Sequence, residues 1–260
     1  MSAYLKAVIM ASRQGLFAVG AEDEFVGRSL RETGAYGLAE IALAARKISR
    51  NDDVLVVGAH VGTLAIPLAR LCNHVTAIEA NPWTFKLLQC NIILNDVKNI
   101  SAYNFAANDK QEKLRFVMNT INSGGSKRLP KTRRPEYFHD NPKLIDVDAF
   151  PLDDKFINYI PSLIIMDIEG SEYFALKGMT KMLEKSKTLF IEYLPHHLSM
   201  VSGIEPELLA TILRSHFDRA FFPSTGESYQ NENFTRVLRE KFDRQEGHEC
   251  VIFTKNSSPA

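Results

Sequence analysis

Cysteine is scarce in this chain of 260 residues, and no two cysteines stand at metal-binding spacing. Cys72, Cys90 and Cys250 are the three cysteines, they form no Cys-x-x-Cys pair, and their number is odd. These features argue against a disulfide framework and against a zinc ribbon. They favour a protein that works in a reducing compartment.

Long apolar runs and an excess of one charge are also missing. No run of about 18 apolar residues is present for a membrane span, and the apolar stretch at residues 7–12 is too short for a signal peptide. Lys+Arg and Asp+Glu count 31 each, so the formal net charge is +0, and composition predicts no general affinity for nucleic acid or anionic membrane. We therefore expect a cytoplasmic protein with a small-molecule partner, no nucleic-acid partner and no membrane partner. Composition leaves the oligomeric state open.

Strand-like and helix-like patterns alternate along the chain. Strands are predicted at residues 54–57, 74–79, 100–105, 113–118, 163–166, 188–192, 219–222 and 250–254. Helices are predicted at residues 37–48, 63–71, 82–94 and 205–217. The alternation predicts an α/β domain at 37–260 with a mainly parallel sheet covered by helices on both faces, after an N-terminal helical extension at 1–36. The last two predicted strands suggest a hairpin at one sheet edge, and the basic segment 127–142 suggests a surface loop.

A glycine turn directly follows the first apolar strand, in the sequence Gly58-Ala59-His60-Val61-Gly62. In open parallel sheets, ligands bind beyond the carboxyl ends of the strands. Glycines let the backbone approach a ligand, and the next helix presents free N–H groups. An ordinary strand-to-helix turn is the structural alternative, and His60 would then bond only to nearby backbone.

Glu79 ends the next strand, 21 positions after Gly58. A carboxylate at this spacing can accept hydrogen bonds from both ribose hydroxyls of an adenosine-containing cofactor. A dinucleotide fingerprint needs glycine at position 60, where this chain has His60. The pattern therefore favours S-adenosylmethionine over a nicotinamide cofactor, while a nicotinamide-dependent oxidoreductase and a catalytically silent cofactor-binding module remain open alternatives.

Polar residues follow two further strands. Ala107 and Asn108 could flank an adenine, or could form an ordinary polar turn. Asp167, Glu169 and Glu172 lie within six residues after a buried strand, where carboxylates can favour a sulfonium cation, hold substrate hydroxyls or accept a proton. Glu172 could instead cap the next helix. A metal site is not expected, because no histidine lies at ligand spacing.

Four segments between residues 53 and 195 resemble the FkbM-type S-adenosylmethionine-dependent methyltransferases. They are VLVVGAHVG, AIEANP, LIIMDIEGSEYFALKGM and LFIEYLP, in this order. The resemblance implies a class I methyltransferase (Rossmann-like) fold, whose seven-stranded sheet ends in an antiparallel strand. It also implies a cofactor site formed by Gly58, Ala59, His60, Gly62, Glu79, Ala80, Ala107, Asn108 and Asp167. The chain departs from the family pattern at Val57 and His60, where Asp and Asn are more frequent.

The resemblance favours O-methylation of a small-molecule hydroxyl, on a sugar, a polyketide or another metabolite. A hydroxyl acceptor needs a base. The candidate catalytic residues are Asp167 and Glu169, which would face the methyl group and the acceptor, and Glu192 and His196 or His197 just beyond the next strand. Five cations, Lys127, Arg128, Lys131, Arg133 and Arg134, could recognise an anionic acceptor, although such runs are usually only solvated.

Overall fold

A computed structural model describes residues 5–138 and 141–256 of the chain. Its first elements are the antiparallel strands β1 (Ala7–Ser12) and β2 (Gly15–Gly20), followed by helix α1 (Val26–Thr33). The N-terminal extension, which we predicted to be helical, therefore opens with a β-hairpin, and this part of the prediction is wrong. The local sequence pattern does not reveal the hairpin, because the helix that holds it in place lies far along the chain.

That helix is α4 (Pro82–Leu94), which carries two asparagines one turn apart at its C-terminal end. The Asn91 amide accepts a hydrogen bond from Ala18 N at 2.6 Å and donates one to Ala18 O at 3.0 Å. Asn95 pairs in the same way with Leu16 N at 3.1 Å and Leu16 O at 2.7 Å. Side-chain amides thus satisfy backbone groups at the edge of β2 that no neighbouring strand pairs.

An eight-stranded sheet forms the centre of the molecule. Its strands are β3 (Asp53–Val57), β4 (His74–Ile78), β5 (Ile100–Tyr103), β10 (Leu163–Met166), β11 (Thr188–Tyr193), β12 (Arg219–Phe222), β13 (Glu227–Gln230) and β14 (His248–Thr254). Their spatial order is β13-β12-β14-β11-β10-β3-β4-β5. Neighbours from β5 to β11 are parallel, and β14 is antiparallel to β11 and to β12. The predicted antiparallel last strand is confirmed.

The edge of the sheet differs from the prediction in one respect. The hairpin is formed by β12 and β13, which supplies an eighth strand. The last strand, β14, pairs with β12 but follows a helix, α10 (Phe234–Asp243), so these two strands are neighbours without being a hairpin. The apolar pattern identified both strands and missed β13, whose side chains are half-buried or exposed.

Helices cover both faces of the sheet. Besides α1, α4 and α10 they are α2 (Leu38–Ala45), α3 (Ala65–Ala69), α5 (Leu152–Lys155), α6 (Glu172–Lys177), α7 (Thr180–Lys185), α8 (Pro195–His197) and α9 (Pro206–His216). The core divides at the sheet, since Val54 and Val56 pack with α1, α3 and α4 while Leu55 and Val57 pack with α6, α7, α9 and α10. Alternate side chains of β3 are buried on opposite faces, which explains why its sequence is continuously apolar.

A second, smaller sheet lies between β5 and β10 in the sequence. It contains β6 (Ala106–Ala107), β7 (Glu112–Met118), β8 (Lys127–Arg128) and β9 (Lys143–Phe150), in the spatial order β6-β9-β7-β8. The segment predicted as a surface loop at 127–142 is in part regular, because β8 pairs with β7 and residues Pro135–Tyr137 form a 3-10 turn. Residues 139 and 140 of that segment lie outside the described residues.

The strand order reverses between β3 and β10, and the turns after these strands touch. Gly58 has φ +87°, and a Cβ there would lie 1.8 Å from the carbonyl oxygen of Asp167. Only glycine fits this position, because the backbone of the β10 turn occupies the space of a side chain. The turns after β3 and β10 therefore touch at the switch point, where a ligand site is expected.

No helix in the described ranges is both long and apolar enough to span a lipid bilayer.

Replacing Gly58 tests this contact. We expect Gly58→Ala to destabilise the protein by roughly 2–5 kcal/mol, because the variant adds a clash with Asp167 O to the penalty of a left-handed backbone. Gly34→Ala is the matched control, since Gly34 has φ +69° and a Cβ there would meet nothing within 4 Å. That variant should lose only about 1–2 kcal/mol. Equal losses in urea unfolding would contradict the close contact.

Candidate active site

A cavity of about 950 Å³ opens at the carboxyl ends of the central strands. Gly58 after β3, Glu79 after β4, Asp167 after β10 and Glu192 near the end of β11 all line it. Its volume is at the upper end of the range for small-molecule pockets. The sequence-predicted positions thus converge on one space, as expected for a parallel α/β sheet.

The glycine turn is fixed by backbone contacts to β4. The N–H groups of Gly58 and Ala59 both donate to Ile78 O at 2.9 Å, and His60 N donates to Glu79 Oε2 at 2.7 Å. His60 has φ +49°, a left-handed conformation that costs a non-glycine residue about 1–3 kcal/mol and is found mostly at functional sites. Gly58, Ala59 and His60 line the cavity.

Glu79 connects the turn to the start of α4. Its Oε1 atom accepts hydrogen bonds from Asn81 N at 2.8 Å and from Thr84 Oγ1 at 2.9 Å, in addition to the bond from His60 to Oε2. Burial raises the pKa of Glu79, and these donors oppose the rise. A carboxylate offers about four acceptor positions, so one remains for a ribose hydroxyl. Ala80 also lines the cavity.

Two predicted cofactor residues lie elsewhere. Gly62 is outside the set of described residues that line the cavity, and a Cβ there would lie 2.8 Å from Leu88. Gly62 therefore permits packing of α3 and α4. Asn108 is also outside that set, since its amide donates to Lys110 O and to Glu112 Oε1 at 3.1 and 2.9 Å. Ala107 lines the cavity as predicted.

The Asp-Ile-Glu-Gly turn after β10 is tight and internally bonded. Glu169 and Gly170 have φ +56° and +97°. Glu172 Oε1 accepts hydrogen bonds from Ile168 N and Gly170 N, both at 3.2 Å. Burial raises the pKa of Glu172 to about 7. Glu172 therefore holds the turn, and the alternative that it caps the next helix is not observed.

Asp167 and Glu192 place two carboxylates together in the cavity lining. Asp167 lines the cavity and is solvent-exposed. Burial raises the pKa of Asp167 well above its usual value, and the charge of Glu169 adds to the rise. Burial, followed by the charge of Asp167, likewise raises the pKa of Glu192. Both groups can therefore bind a proton at a higher pH than an ordinary carboxylate.

Lys127 forms a buried cluster with Glu169 and His197. Its Nζ atom lies 3.1 Å from Glu169 Oε2 and 3.1 Å from His197 Nε2. His197 is 6% exposed, and burial, aided by Lys127, lowers its pKa to about 2. The neutral ring accepts a hydrogen bond from the lysine ammonium at Nε2, so the ring proton is on Nδ1, which lies 3.0 Å from Glu169 Oε2. This lysine supplies positive charge to an otherwise acidic region.

The same cluster corrects our argument on metals. Ligand atoms of Glu169, Glu192 and His197 all lie within 4.8 Å of one another, whereas the sequence indicated no histidine near these acids. The fold supplies His197 through the short helix α8, which follows β11. The Lys127 ammonium, 3.1 Å from both Glu169 and His197, already neutralises part of this group.

His196, the other candidate base, and the five cations at residues 127–134 differ in their surroundings. His196 is exposed, and it is absent from the cavity lining within the described ranges. Arg128 lines the cavity, with its guanidinium 3.9 Å from the centre of the Phe174 ring. With Lys127 buried, Lys131, Arg133 and Arg134 are the exposed members of the run.

Several lining residues gave no usable signal in the sequence. Tyr36 and Gly37 line the cavity and come from the segment between α1 and α2. Ser224, in the turn between β12 and β13, and His248, the first residue of β14, are also part of the lining, and His248 Nδ1 lies 2.8 Å from Ser224 Oγ. Pairing of β12 with β13 and β14 brings them here, and a local pattern does not reveal such pairings.

Two solved structures are similar to this chain in fold. TYW2 from M. jannaschii, solved in complex with AdoMet, has a similar fold with a TM-score of 0.50 at 15% identity over 98% of this chain and 90% of that chain. Methyltransferase FkbM from Methylobacillus flagellatus KT is 20% identical with a TM-score of 0.47, over 79% of this chain and 44% of that chain. This chain thus spans less than half of that FkbM protein.

A curated relative matches over a short segment. The probable ribosomal RNA small subunit methyltransferase A of Methanothermobacter thermautotrophicus is 38% identical over 50 residues, which is 19% of this chain and 18% of that protein. The model of the methyltransferase FkbM domain matches residues 57–222, more than half of the chain. The chain therefore belongs to the FkbM methyltransferase family, and its cofactor is S-adenosylmethionine.

Proposed function

We propose that this protein methylates a hydroxyl group of a small molecule. The observation that carries the proposal is the pair of carboxylates, Asp167 and Glu192, that lines the cavity at the ends of β10 and β11 with raised pKa values. A hydroxyl acceptor must lose its proton on methylation, and a base with a raised pKa is suited to receive it near neutral pH.

The cavity residues fit S-adenosylmethionine. The backbone at Gly58 and Ala59 is free of bulky side chains, Glu79 has an acceptor position left, and Ala107 leaves room for a flat ring. Five carboxylates and one arginine line the cavity: Glu40, Glu79, Asp167, Glu169, Glu192 and Arg128. This balance suits a cofactor that bears a sulfonium cation and disfavours a dinucleotide pyrophosphate. The nicotinamide alternative therefore has neither family nor electrostatic support.

Glu192 is our choice for the base. Glu169 is engaged in an ion pair with Lys127, at 3.1 Å, which restricts its movement. Asp167 touches the glycine turn through its backbone and is expected to face the cofactor. Glu192 lies one strand further on, toward the acceptor end of the cavity that Ser224 and His248 line. The cofactor supplies an electrophilic methyl group, and the protein holds the acceptor oxygen in line with it.

The acceptor is proposed to be neutral or cationic near the reacting hydroxyl. Asp167, Glu169 and Glu192 place three acidic side chains at that end of the cavity, and Lys127 is already engaged with Glu169 and His197. An anionic group on the acceptor would instead have to reach Lys131, Arg133 or Arg134, which are exposed. Neutralising these three residues should then raise the acceptor KM.

A methyl-transfer screen tests the proposal. Purified protein is incubated with S-adenosylmethionine labelled in its methyl group and with hydroxylated sugars, polyketides, amines and tRNA, and the labelled products are identified. Label on a hydroxyl of a small molecule supports the proposal, whereas label on nitrogen or on tRNA overturns it. Tight binding of S-adenosylhomocysteine in calorimetry, with no transfer to any acceptor, supports the silent module instead.

Glu192→Gln should lower kcat by roughly 10²–10⁴-fold, because the amide cannot accept the acceptor proton. The dissociation constant for S-adenosylhomocysteine should stay within about twofold, since Glu192 lies toward the acceptor end. In the wild type, kcat should fall as pH drops below the raised pKa of Glu192. A variant with full kcat would show that Glu192 is not the base.

The same substitution should stabilise the ligand-free protein at high pH. The folded state holds a proton on Glu192 that the unfolded chain has already lost, so stability falls as pH rises through the raised pKa. Glu192→Gln removes this dependence, and its Tm should exceed that of the wild type by a margin that grows from pH 5 to pH 8. Each kcal/mol corresponds to roughly 2–4 °C. Glu232→Gln, at an exposed site, is the control and should show no such trend.

A further inference from the structure

Three residues far apart in the sequence form a buried hydrogen-bonded chain beside the glycine turn. Ser123 Oγ lies 2.7 Å from His60 Nε2, and the same hydroxyl donates a short hydrogen bond to Asp23 Oδ2. Asp23 precedes α1, and Ser123 belongs to the Asn-Ser-Gly-Gly-Ser turn, residues 122–126. Asp23 and Ser123 are 1% and 5% exposed, so the chain is shielded from water.

Asp23 is held in place independently of this chain. Its other oxygen, Oδ1, accepts hydrogen bonds from Phe25 N at 3.0 Å and from Gly27 N at 2.8 Å, at the start of α1. The carboxylate is therefore anchored by backbone donors and keeps Oδ2 directed at Ser123. The hydrogen bond from Ser123 to Asp23 therefore requires no movement of α1.

The directions of these hydrogen bonds determine which nitrogen of His60 carries the proton. A carboxylate can only accept, so the Ser123 hydroxyl proton is committed to Asp23. Ser123 Oγ must then accept from His60, which requires a proton on Nε2. A neutral ring with a proton on Nε2 has an unprotonated Nδ1, and Nδ1 is then a hydrogen-bond acceptor.

The ring is neutral at physiological pH and faces a ligand space. Burial lowers the pKa of His60 to about 4, against the opposing charge of Asp23. His60 lines the cavity, and within residues 5–138 and 141–256 its ring makes no hydrogen bond other than the one to Ser123. An acceptor nitrogen in this position calls for a hydrogen-bond donor on the ligand.

S-adenosylmethionine carries one strong donor outside its adenosine part, the α-ammonium group of its methionine part. We propose that His60 Nδ1 accepts a hydrogen bond from this ammonium group, and that Asp23 and Ser123 are positioning residues that hold His60 in the required tautomer. The left-handed backbone of His60, with φ +49°, is consistent with a side chain that is held in one direction for binding. The proposal concerns the cofactor and does not depend on the identity of the acceptor.

Two ligands that differ at the methionine end test the proposal. S-adenosylhomocysteine carries the ammonium group, and 5′-methylthioadenosine lacks the whole amino-acid part. His60→Phe should raise the dissociation constant of S-adenosylhomocysteine by about tenfold or more in calorimetry, the usual effect of losing a hydrogen bond to a charged group. Ser123→Ala should raise it in the same direction but by less, because the ring keeps its acceptor nitrogen and loses only the contact that holds it in one tautomer. Neither should change the affinity for 5′-methylthioadenosine by more than about twofold. Ser123→Thr keeps the hydroxyl and should retain binding of both ligands.

Equal weakening of both ligands would point to a structural role, and unchanged S-adenosylhomocysteine affinity would remove His60 from the ammonium site; either outcome overturns the proposal. The tautomer itself can be read from the imidazole ¹⁵N chemical shifts of the ligand-free protein. The wild type should show His60 protonated on Nε2. In Asp23→Asn, the new amide can donate to Ser123, so that Ser123 can donate to His60 and move the ring proton to Nδ1. A wild-type ring protonated on Nδ1 would also overturn the proposal.

Discussion

The contact between the turns after β3 and β10 is the constraint on which the site depends. Gly58 lies so close to the carbonyl of Asp167 that no side chain fits between them. Because β3 and β10 are adjacent parallel strands, their sequences fix where the two turns meet. The cofactor cradle and the Asp-Ile-Glu-Gly turn are therefore one rigid unit, so a change in either turn would move the other.

Polar side chains attach the remaining parts of the cavity wall to this unit. Glu79 joins the glycine turn to α4 with three hydrogen bonds, and Asn91 joins α4 to the N-terminal hairpin. Asn91 also donates to Val61 O at 2.8 Å, within the glycine turn. Asparagine side chains of α4 thus form hydrogen bonds to the backbone of β2, as a neighbouring strand would in a sheet. Such buried amides satisfy the backbone that they contact and fix the direction of the hairpin.

The sequence predicted the central strands well because their signal is local. A strand buried on both faces, such as Leu163–Met166, is continuously apolar and needs no partner to be identified. The N-terminal hairpin depends on Asn91 and Asn95, more than 70 residues away. No local sequence pattern reveals contacts over that separation. The same limit applies to the site. Glu79 and Asp167 directly follow predicted strands, so the sequence indicated them as candidates. The approach of His197 to Glu169 depends on how α8 packs, which only the fold reveals.

Several unfavourable features of the molecule lie at the mouth of the sheet. His60 and Glu169 have left-handed backbones, and Asp167, Glu172 and Glu192 have raised pKa values because burial disfavours their charges. The core strands show no comparable strain, since their apolar side chains pack on both faces. Strain and buried acidic groups of this kind reduce stability, and groups perturbed in this way are concentrated at functional sites. Lys127 pairs with Glu169, whereas Glu192 forms no ion pair among the described contacts, and its raised pKa suits the base role that we propose for it.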